Sequence, residues 1–185
     1  MRIAHVTATF PPYYAGAGMV CYHQARGLAR LGHEVTVYTA SQAGGGSIQA
    51  EGFTVQRLRA ACRAGNAPFL PGLLGLGGYD LVHLHHPFIS GAEMIWWVCR
   101  QRGMPYVLGH HNDLISYGLR RPLFDVYSAL SAPILFRGAT KLAVVSLDHA
   151  ENCRLAPLLQ RRWTDVVEVP NGVDTDVFRP VPGIE

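Results

Sequence analysis

The sequence is poor in charge, and its positive charge comes almost entirely from arginine. Charged residues make up 16% of the 185 residues, the net charge is +3, and Lys141 is the only lysine. So weak a positive charge does not indicate nucleic-acid binding, although it favours anionic ligands or an anionic membrane surface. Because such a low charge content is unusual for a domain surrounded by water, we expect part of the surface to face a partner domain or a membrane.

Long apolar runs and paired cysteines are also absent. No stretch of 18 apolar residues occurs, and the first residues do not resemble a signal peptide, so we expect no membrane-spanning segment. No Cys-x-x-Cys motif occurs, and the four cysteines are widely spaced: Cys21, Cys62, Cys99 and Cys153. This spacing predicts neither a disulfide framework nor a thiolate zinc site, and it indicates free thiols in a reducing cytoplasm.

The glycine fingerprint of dinucleotide-binding domains, Gly-x-Gly-x-x-Gly, is missing. The segment 16–18 reads Gly-Ala-Gly before the first predicted helix, but Cys21 occupies the position of the third glycine. The second predicted strand ends at residues 38–40 without the acidic residue that binds a ribose. An oxidoreductase cofactor domain is therefore disfavoured. The two glycines still suit phosphate binding at a helix start, with an ordinary strand–helix turn as the alternative.

What the sequence does contain is a regular alternation of strands and helices. Helical periodicity is clearest at 19–31, 89–102 and 123–136, and Ser146 and Asp148 are predicted to cap a later helix. Residues 41–50 are predicted to be a loop, and residues 59–79 favour no element strongly. Seven segments predict strands: 2–9, 33–39, 53–58, 81–85, 106–109, 142–145 and 166–169. The alternation predicts a doubly wound, mostly parallel, Rossmann-like α/β sheet over residues 1–170, followed by a linker at 171–185.

Polar side chains follow two neighbouring strands of this predicted sheet. Ligands of such sheets bind at the carboxyl ends of the strands, so these residues are candidates for a site: His83, His85, His86, His110, His111, Asn112 and Asp113. His83 and His85 would share one face of a strand, but no third ligand is evident, so no metal site is predicted. Asp113, two residues after His111, could orient that histidine for proton transfer near neutral pH.

Five stretches, taken in this order, resemble the N-terminal half of a GT-B fold glycosyltransferase of family 4. The stretches are residues 10–18, 28–37, 80–87, 109–114 and 169–174, and the match spans residues 1–180, nearly the whole chain. The resemblance implies a retaining transfer of a sugar from a nucleotide-sugar donor to an acceptor hydroxyl, without a metal cofactor. The implied partners are the nucleotide sugar and a sugar, glycan or lipid-linked acceptor.

The resemblance also implies roles for individual residues. His111 matches the histidine that lines the catalytic cleft near the donor sugar, and Asp113 matches a position that is polar in several members. The segment near the donor phosphates comprises Gly16, Ala17 and Gly18, although the family has adjacent glycines there. The positions on the acceptor side of the cleft are His85, His86, His110 and Asn112. The hinge into a second domain comprises Asn171, Gly172 and Asp174.

In this family the second domain supplies most of the donor site, so residues 1–185 are expected to be inactive alone. The alternative hypothesis is a non-catalytic nucleotide- or sugar-binding subunit of a split transferase. Peripheral membrane contact is a further hypothesis, for which the candidate segments are 69–76, 119–121 and 161–163. Core leucines and solvated arginines are the alternative interpretation of these segments.

Overall fold

Strands and helices alternate along the chain in the computed structural model, which describes residues 1–13, 15–41, 45–64, 67–114, 118, 121–172, 175 and 178. The strands are β1 (Arg2–Val6), β2 (Glu34–Ala40), β3 (Gly46–Ala50), β4 (Phe53–Leu58), β5 (Cys62–Ala64), β6 (Ala67–Phe69), β7 (Leu81–His86), β8 (Tyr106–His110), β9 (Lys141–Val144) and β10 (Val166–Glu168). The α-helices are α1 (Gly16–Arg30), α2 (Gly91–Arg102), α3 (Arg121–Gly138), α4 (Leu147–Asn152) and α5 (Ala156–Gln160).

Within the described ranges, eight strands form one sheet in the order β10-β9-β8-β7-β1-β2-β4-β3. All neighbouring pairs are parallel except β3 and β4, so the predicted mostly parallel sheet is confirmed. The chain starts in the middle of the sheet at β1, builds outward through β2 and β4, and then returns to β7 on the other side of β1. The strand order reverses between β1 and β7, which is where ligands bind in folds of this kind.

The edge strand β3 was not predicted, because residues 41–50 were expected to form a loop. Residues 46–50 pair antiparallel with β4, placing Ile48 opposite Val55. The strand is almost entirely exposed, so no hydrophobic alternation marks it in the sequence. Its backbone hydrogen bonds to β4 hold it at the edge of the sheet, which is a long-range contact that local pattern does not reveal.

Helices cover both faces of the central strands, and the core therefore has two parts. The smaller part lies under α1, where Cys21 and Ala25 pack with Val35, Val37 and Phe53. The larger part contains the apolar side chains of β7 and β8 with those of α2 and α3. Burial on two faces explains why β1 and β7 are nearly continuous buried runs rather than alternating ones.

Residues 59–79 form a short β5–β6 hairpin, followed by a 3-10 segment at Pro71–Gly75. Its leucines at 70, 73 and 76 are fully buried, so the core interpretation of segment 69–76 is confirmed for them. Phe69 and Leu74 remain partly exposed. Among the helices of the described ranges, none has the length and hydropathy needed to cross a bilayer.

Helix boundaries match the capping signals in the sequence. Gly32, with φ +85°, follows α1 as predicted, and the Ser146 hydroxyl accepts a hydrogen bond from the His149 N–H at 3.0 Å at the start of α4. However, α1 begins at Gly16, three residues before the predicted start. The three residues 16–18 therefore form the first turn of the helix rather than a loop before it.

Gly18 and Gly16 make a matched pair for testing this turn. A Cβ on Gly18 would lie 2.6 Å from the Thr9 carbonyl oxygen, whereas a Cβ on Gly16 would meet nothing within 4 Å. We predict that Gly18→Ala lowers the free energy of unfolding by about 1–3 kcal/mol, because the clash is with backbone and the helix must move away from β1. Gly16→Ala should leave it unchanged or raise it by up to about 1 kcal/mol. Urea denaturation compares the two variants, and equal effects would contradict this packing role for Gly18.

Candidate functional site

Seven of the nine histidines gather at the carboxyl edge of the sheet, around the point where the strand order reverses. They come from β1, β7, β8, the turn after β8, and α4: His5, His83, His85, His86, His110, His111 and His149. This histidine cluster arises because β1, β7 and β8 are adjacent and parallel, so that residues near their carboxyl ends meet. The pleat of the strands divides the cluster between the two faces of the sheet.

The first group of the cluster lies on the face that α1 covers. His5 pairs in register with His83, and the His5 and His85 rings stack with centroids 5.3 Å apart. The space for these rings depends on Gly109, because a Cβ there would lie 2.8 Å from Nε2 of His83. Glycine at position 109 is therefore required by the imidazole on the neighbouring strand.

Three imidazoles of this group are linked by hydrogen bonds that lead to His111. Nδ1 of His5 is 2.9 Å from Nε2 of His85, and Nδ1 of His85 is 2.8 Å from Nε2 of His111. The His85 and His111 rings are nearly parallel, at an angle of 7°. A neutral imidazole has one donor and one acceptor, so the protons along this chain must all be arranged in the same direction. The orientation of His111 is thereby fixed by two buried side chains.

The second group lies on the opposite face, against α3 and α4. Nδ1 of His86 is 3.3 Å from Nδ1 of His110, both rings pack edge-on against Phe136, and His149 stacks on His110. Asp113 belongs to this group: its Oδ1 is 3.6 Å from Nε2 of His110. The predicted pairing of Asp113 with His111 is therefore corrected, because consecutive residues at the strand end point to opposite faces and the described contact is with His110.

Burial keeps six histidines of this cluster uncharged at neutral pH, namely those of β1, β7, β8 and the turn after β8. It lowers the pKa of His5, His110 and His111 to about 4 and that of His86 to about 3. Burial and the neighbouring imidazoles also hold the pKa of His83 and His85 well below the usual range. His110 is thus neutral at pH 7, and its contact with Asp113 is not an ion pair.

The residues predicted for the acceptor side differ in their access to solvent. His85, His86 and His110 are buried beneath the edge of the sheet. Asn112 lines a cavity of about 700 Å³ whose other lining residues, within the described part of the chain, are apolar, among them Phe88 and Leu123. A second cavity, of about 290 Å³, is lined by His86 and Asp113.

The predicted hinge lies beside α1, the helix that begins with the predicted phosphate segment. The hinge residues Asn171 and Gly172 line a cavity of about 200 Å³ with His23 and other side chains of α1. Asp174 lies outside the described residues. The α1 helix starts at Gly16 with no side-chain cap and no acidic residue in its first turn, so its first N–H groups have no acceptor within the helix.

Sequence reasoning missed His5 and Cys153. His5 is fully buried in an otherwise apolar strand, and a buried polar residue in a central strand is itself a signal that a partner exists. Cys153 follows α4 and was interpreted only as a free thiol. It lies within 4.8 Å of His110 and Asp113, measured between the donor atoms. No local spacing links residues 110 and 153, so only the fold reveals this proximity.

The lowered histidine pKa values predict a steep loss of stability in acid. An unfolded histidine binds a proton near pH 6.5 and these native ones do not, so stability is full above pH 6.5 and falls as the pH drops from 6.5 towards 4. Each histidine contributes about 1.4 kcal/mol per pH unit over that range. Urea denaturation from pH 7.5 to 4.5 measures the slope. His83→Leu should reduce this slope by about one proton, whereas a flat profile of the wild-type chain would show that the imidazoles are hydrated.

Comparison with known proteins adds independent findings. Residues 14–177 match Glycosyltransferase Family 4. An uncharacterized glycosyltransferase of Methanocaldococcus jannaschii, MJ1607, is 33% identical over 129 residues, which is 63% of this chain and 32% of that protein. The chain therefore spans about a third of the length of this relative.

Solved structures share the fold at low sequence identity. Anabaena Alr3699/HepE in complex with UDP-glucose aligns with a TM-score of 0.65 and 14% identity, over 98% of this chain and 47% of that one. An alpha-glucosyltransferase in complex with UDP aligns with a TM-score of 0.56 and 13% identity, over 94% and 45% of the two chains. The strand order, the reversal point and the family match agree, and the chain belongs to Glycosyltransferase Family 4.

Proposed function

We propose that this chain is the acceptor-side half of a retaining glycosyltransferase that moves a hexose from a nucleotide-sugar donor to an acceptor hydroxyl. The observation that carries the proposal is His111, a hydrogen-bonded imidazole at the carboxyl edge of the sheet beside the reversal of strand order. Family membership supports the reaction class, and two structural neighbours were solved with UDP or UDP-glucose. A second domain is proposed because the chain covers less than half of each neighbour.

The start of α1 is the proposed contact for the donor diphosphate. Its first N–H groups point away from the helix, and Gly16 is exposed, so an anion can approach the backbone closely. The leaving nucleotide gains negative charge during transfer, and a helix terminus stabilises that charge without a metal ion. Gly18 is a packing residue in this arrangement, because its backbone contacts Thr9.

His111 is the proposed cleft residue nearest the transferred sugar. Its ring orientation is fixed by His85, and its lowered pKa keeps it neutral, so it can offer a hydrogen bond without a positive charge beside the donor. For Asp113 we retain a role in catalysis, but an indirect one. Its carboxylate contacts His110 and accepts the Arg154 N–H at 2.7 Å, and so it fixes the turn that carries His111.

The cavity of about 700 Å³ is the proposed acceptor subsite. Among the described residues, Asn112 is its single polar lining residue, whereas a free sugar has a hydroxyl on almost every carbon and would lose hydrogen bonds there. The lining therefore favours an acceptor with an apolar portion, such as a lipid-linked one. Leu123 also begins an exposed apolar stripe on α3 with Val126, Leu130 and Ile134, which supports peripheral membrane contact.

The membrane candidates from the sequence contribute less to this proposal. Arg162 donates to the carbonyl oxygens of Phe136 and Ala139 and pairs with Asp165, so it is engaged within the domain. Leu119 and Arg120 lie outside the described residues.

Residues 1–185 alone are predicted to give no sugar transfer. In the proposed site the acceptor and the donor must be brought together between two domains, and one domain cannot exclude water from the reacting groups. Incubation with UDP-glucose and other nucleotide sugars, with product analysis by mass spectrometry, checks this. Turnover by the 185-residue chain at a rate typical of enzymes would refute the half-site proposal.

His111→Ala in the whole gene product should lower kcat by roughly 10²- to 10⁴-fold while changing the KM for the donor little, since the imidazole is proposed to act in the transition state. The matched control is His33→Ala, a histidine at the opposite edge of the sheet. Circular dichroism verifies the fold of both variants. Unchanged kcat in a folded His111→Ala variant would exclude His111 from catalysis.

A further inference from the structure

A group of three potential metal ligands lies on the α4 side of the sheet, apart from the His5–His85–His111 chain. His110 ends β8, Asp113 lies in the turn after it, and Cys153 follows α4. One donor atom from each residue lies within 4.8 Å of the other two. We call these three residues the Cys153 group.

Two atoms of the Cys153 group have no hydrogen-bond partner. Nε2 of His110 and Oδ1 of Asp113 are both buried and unpaired, and His110 is fully inaccessible to solvent. Their separation of 3.6 Å is too long for a hydrogen bond. Leaving two such atoms buried without a partner is unfavourable, and a cation between them would satisfy both at once.

The remaining polar atoms of the same side chains are already held in place. Nδ1 of His110 is 3.3 Å from Nδ1 of His86, and Oδ2 of Asp113 accepts the backbone N–H of Arg154 at 2.7 Å. Metal-binding histidines and carboxylates are normally fixed in this way, through the atom that does not bind the metal. Nε2 of His110 and Oδ1 of Asp113 therefore remain available to bind one common ion.

The donor set identifies the class of ion. One imidazole nitrogen, one carboxylate oxygen and one thiolate sulfur suit Zn²⁺, whose ligand bonds of about 2.0–2.3 Å place ligand atoms some 3.3–3.8 Å apart. The separation of 3.6 Å between His110 and Asp113 fits this geometry. The cavity of about 290 Å³ that Asp113 and Arg154 line adjoins the group and offers space for a water molecule as fourth ligand.

We propose that His110, Asp113 and Cys153 bind one Zn²⁺ ion, with water completing a tetrahedral site. On binding, zinc displaces the thiol proton of Cys153 to solvent, and the sulfur becomes a thiolate ligand. The ion would join the turn after β8 to the end of α4, and so stabilise the segment that carries His111. The proposal departs from the expectation of no metal, which rested on the spacing of the histidines and on the family resemblance.

Zinc titration of the 185-residue chain tests the proposal. The chain is freed of metal with a chelator, kept reduced, and titrated with Zn²⁺ in competition with a chromophoric chelator. One equivalent of Zn²⁺ should bind. Cys153→Ser or Asp113→Asn should each weaken zinc binding by more than about 100-fold, which is more than the loss of a residue that only supports a ligand would cause. Cys62→Ser is the matched control, since Cys62 is exposed on the β5–β6 hairpin. Co²⁺ in place of Zn²⁺ should give a thiolate-to-cobalt charge-transfer band that Cys153→Ser removes.

Three results would overturn the proposal. The first is the absence of stoichiometric zinc binding by the wild-type chain. The second is binding that survives in a folded Cys153→Ser variant but is lost in Cys21→Ser, because His5, Cys21 and His85 form the other group with close donor atoms in the described residues. The third is a cobalt spectrum of the wild-type chain without a thiolate band, which decides the question even if the variants fail to fold.

Discussion

The structure depends on a single constraint: a buried imidazole must stay neutral and must place its ring nitrogens against partners. Six histidines at the carboxyl edge meet the first requirement, because burial lowers their pKa values far below neutrality. The hydrogen bonds from His5 through His85 to His111 meet the second on one face of the sheet. The glycine opposite His83, Gly109, leaves the space that these rings need.

The separation of the cluster by the strand pleat gives the two faces different properties. On the α1 face the imidazoles of His5, His85 and His111 hydrogen-bond to one another, although His5, His83 and His111 each keep one unpaired ring nitrogen. On the α3 and α4 face, the unpaired atoms of His110 and Asp113 instead lie 3.6 Å from each other. The difference is topological, because β8 ends at His110, and the next residue, His111, turns to the opposite face. Two adjacent histidines can therefore belong to two chemically independent sites.

Local pattern predicted most of the fold for a physical reason. Strands buried on both faces, such as β9, contain apolar runs that no other element explains as well, and Gly32 and Ser146 mark helix ends through backbone geometry. The exposed strand β3 was missed because its stability comes from pairing with β4. The start of α1 was placed late because Gly-Ala-Gly is a poor helix sequence, which packing against Thr9 nevertheless stabilises.

Only those residues of the candidate site that are adjacent in sequence could be predicted to lie together. Residues 110–113 are adjacent in sequence and follow a strand, so their presence at the edge could be expected, but their partners could not. His5 reaches His85 across 80 residues and Cys153 reaches His110 across 43, and both contacts result from strand order. Because the order reverses between β1 and β7, the N-terminal strand is brought beside a strand from the middle of the chain. The reversal therefore both opens the crevice and gathers the histidines, so the site could not be assembled from any one segment of the sequence.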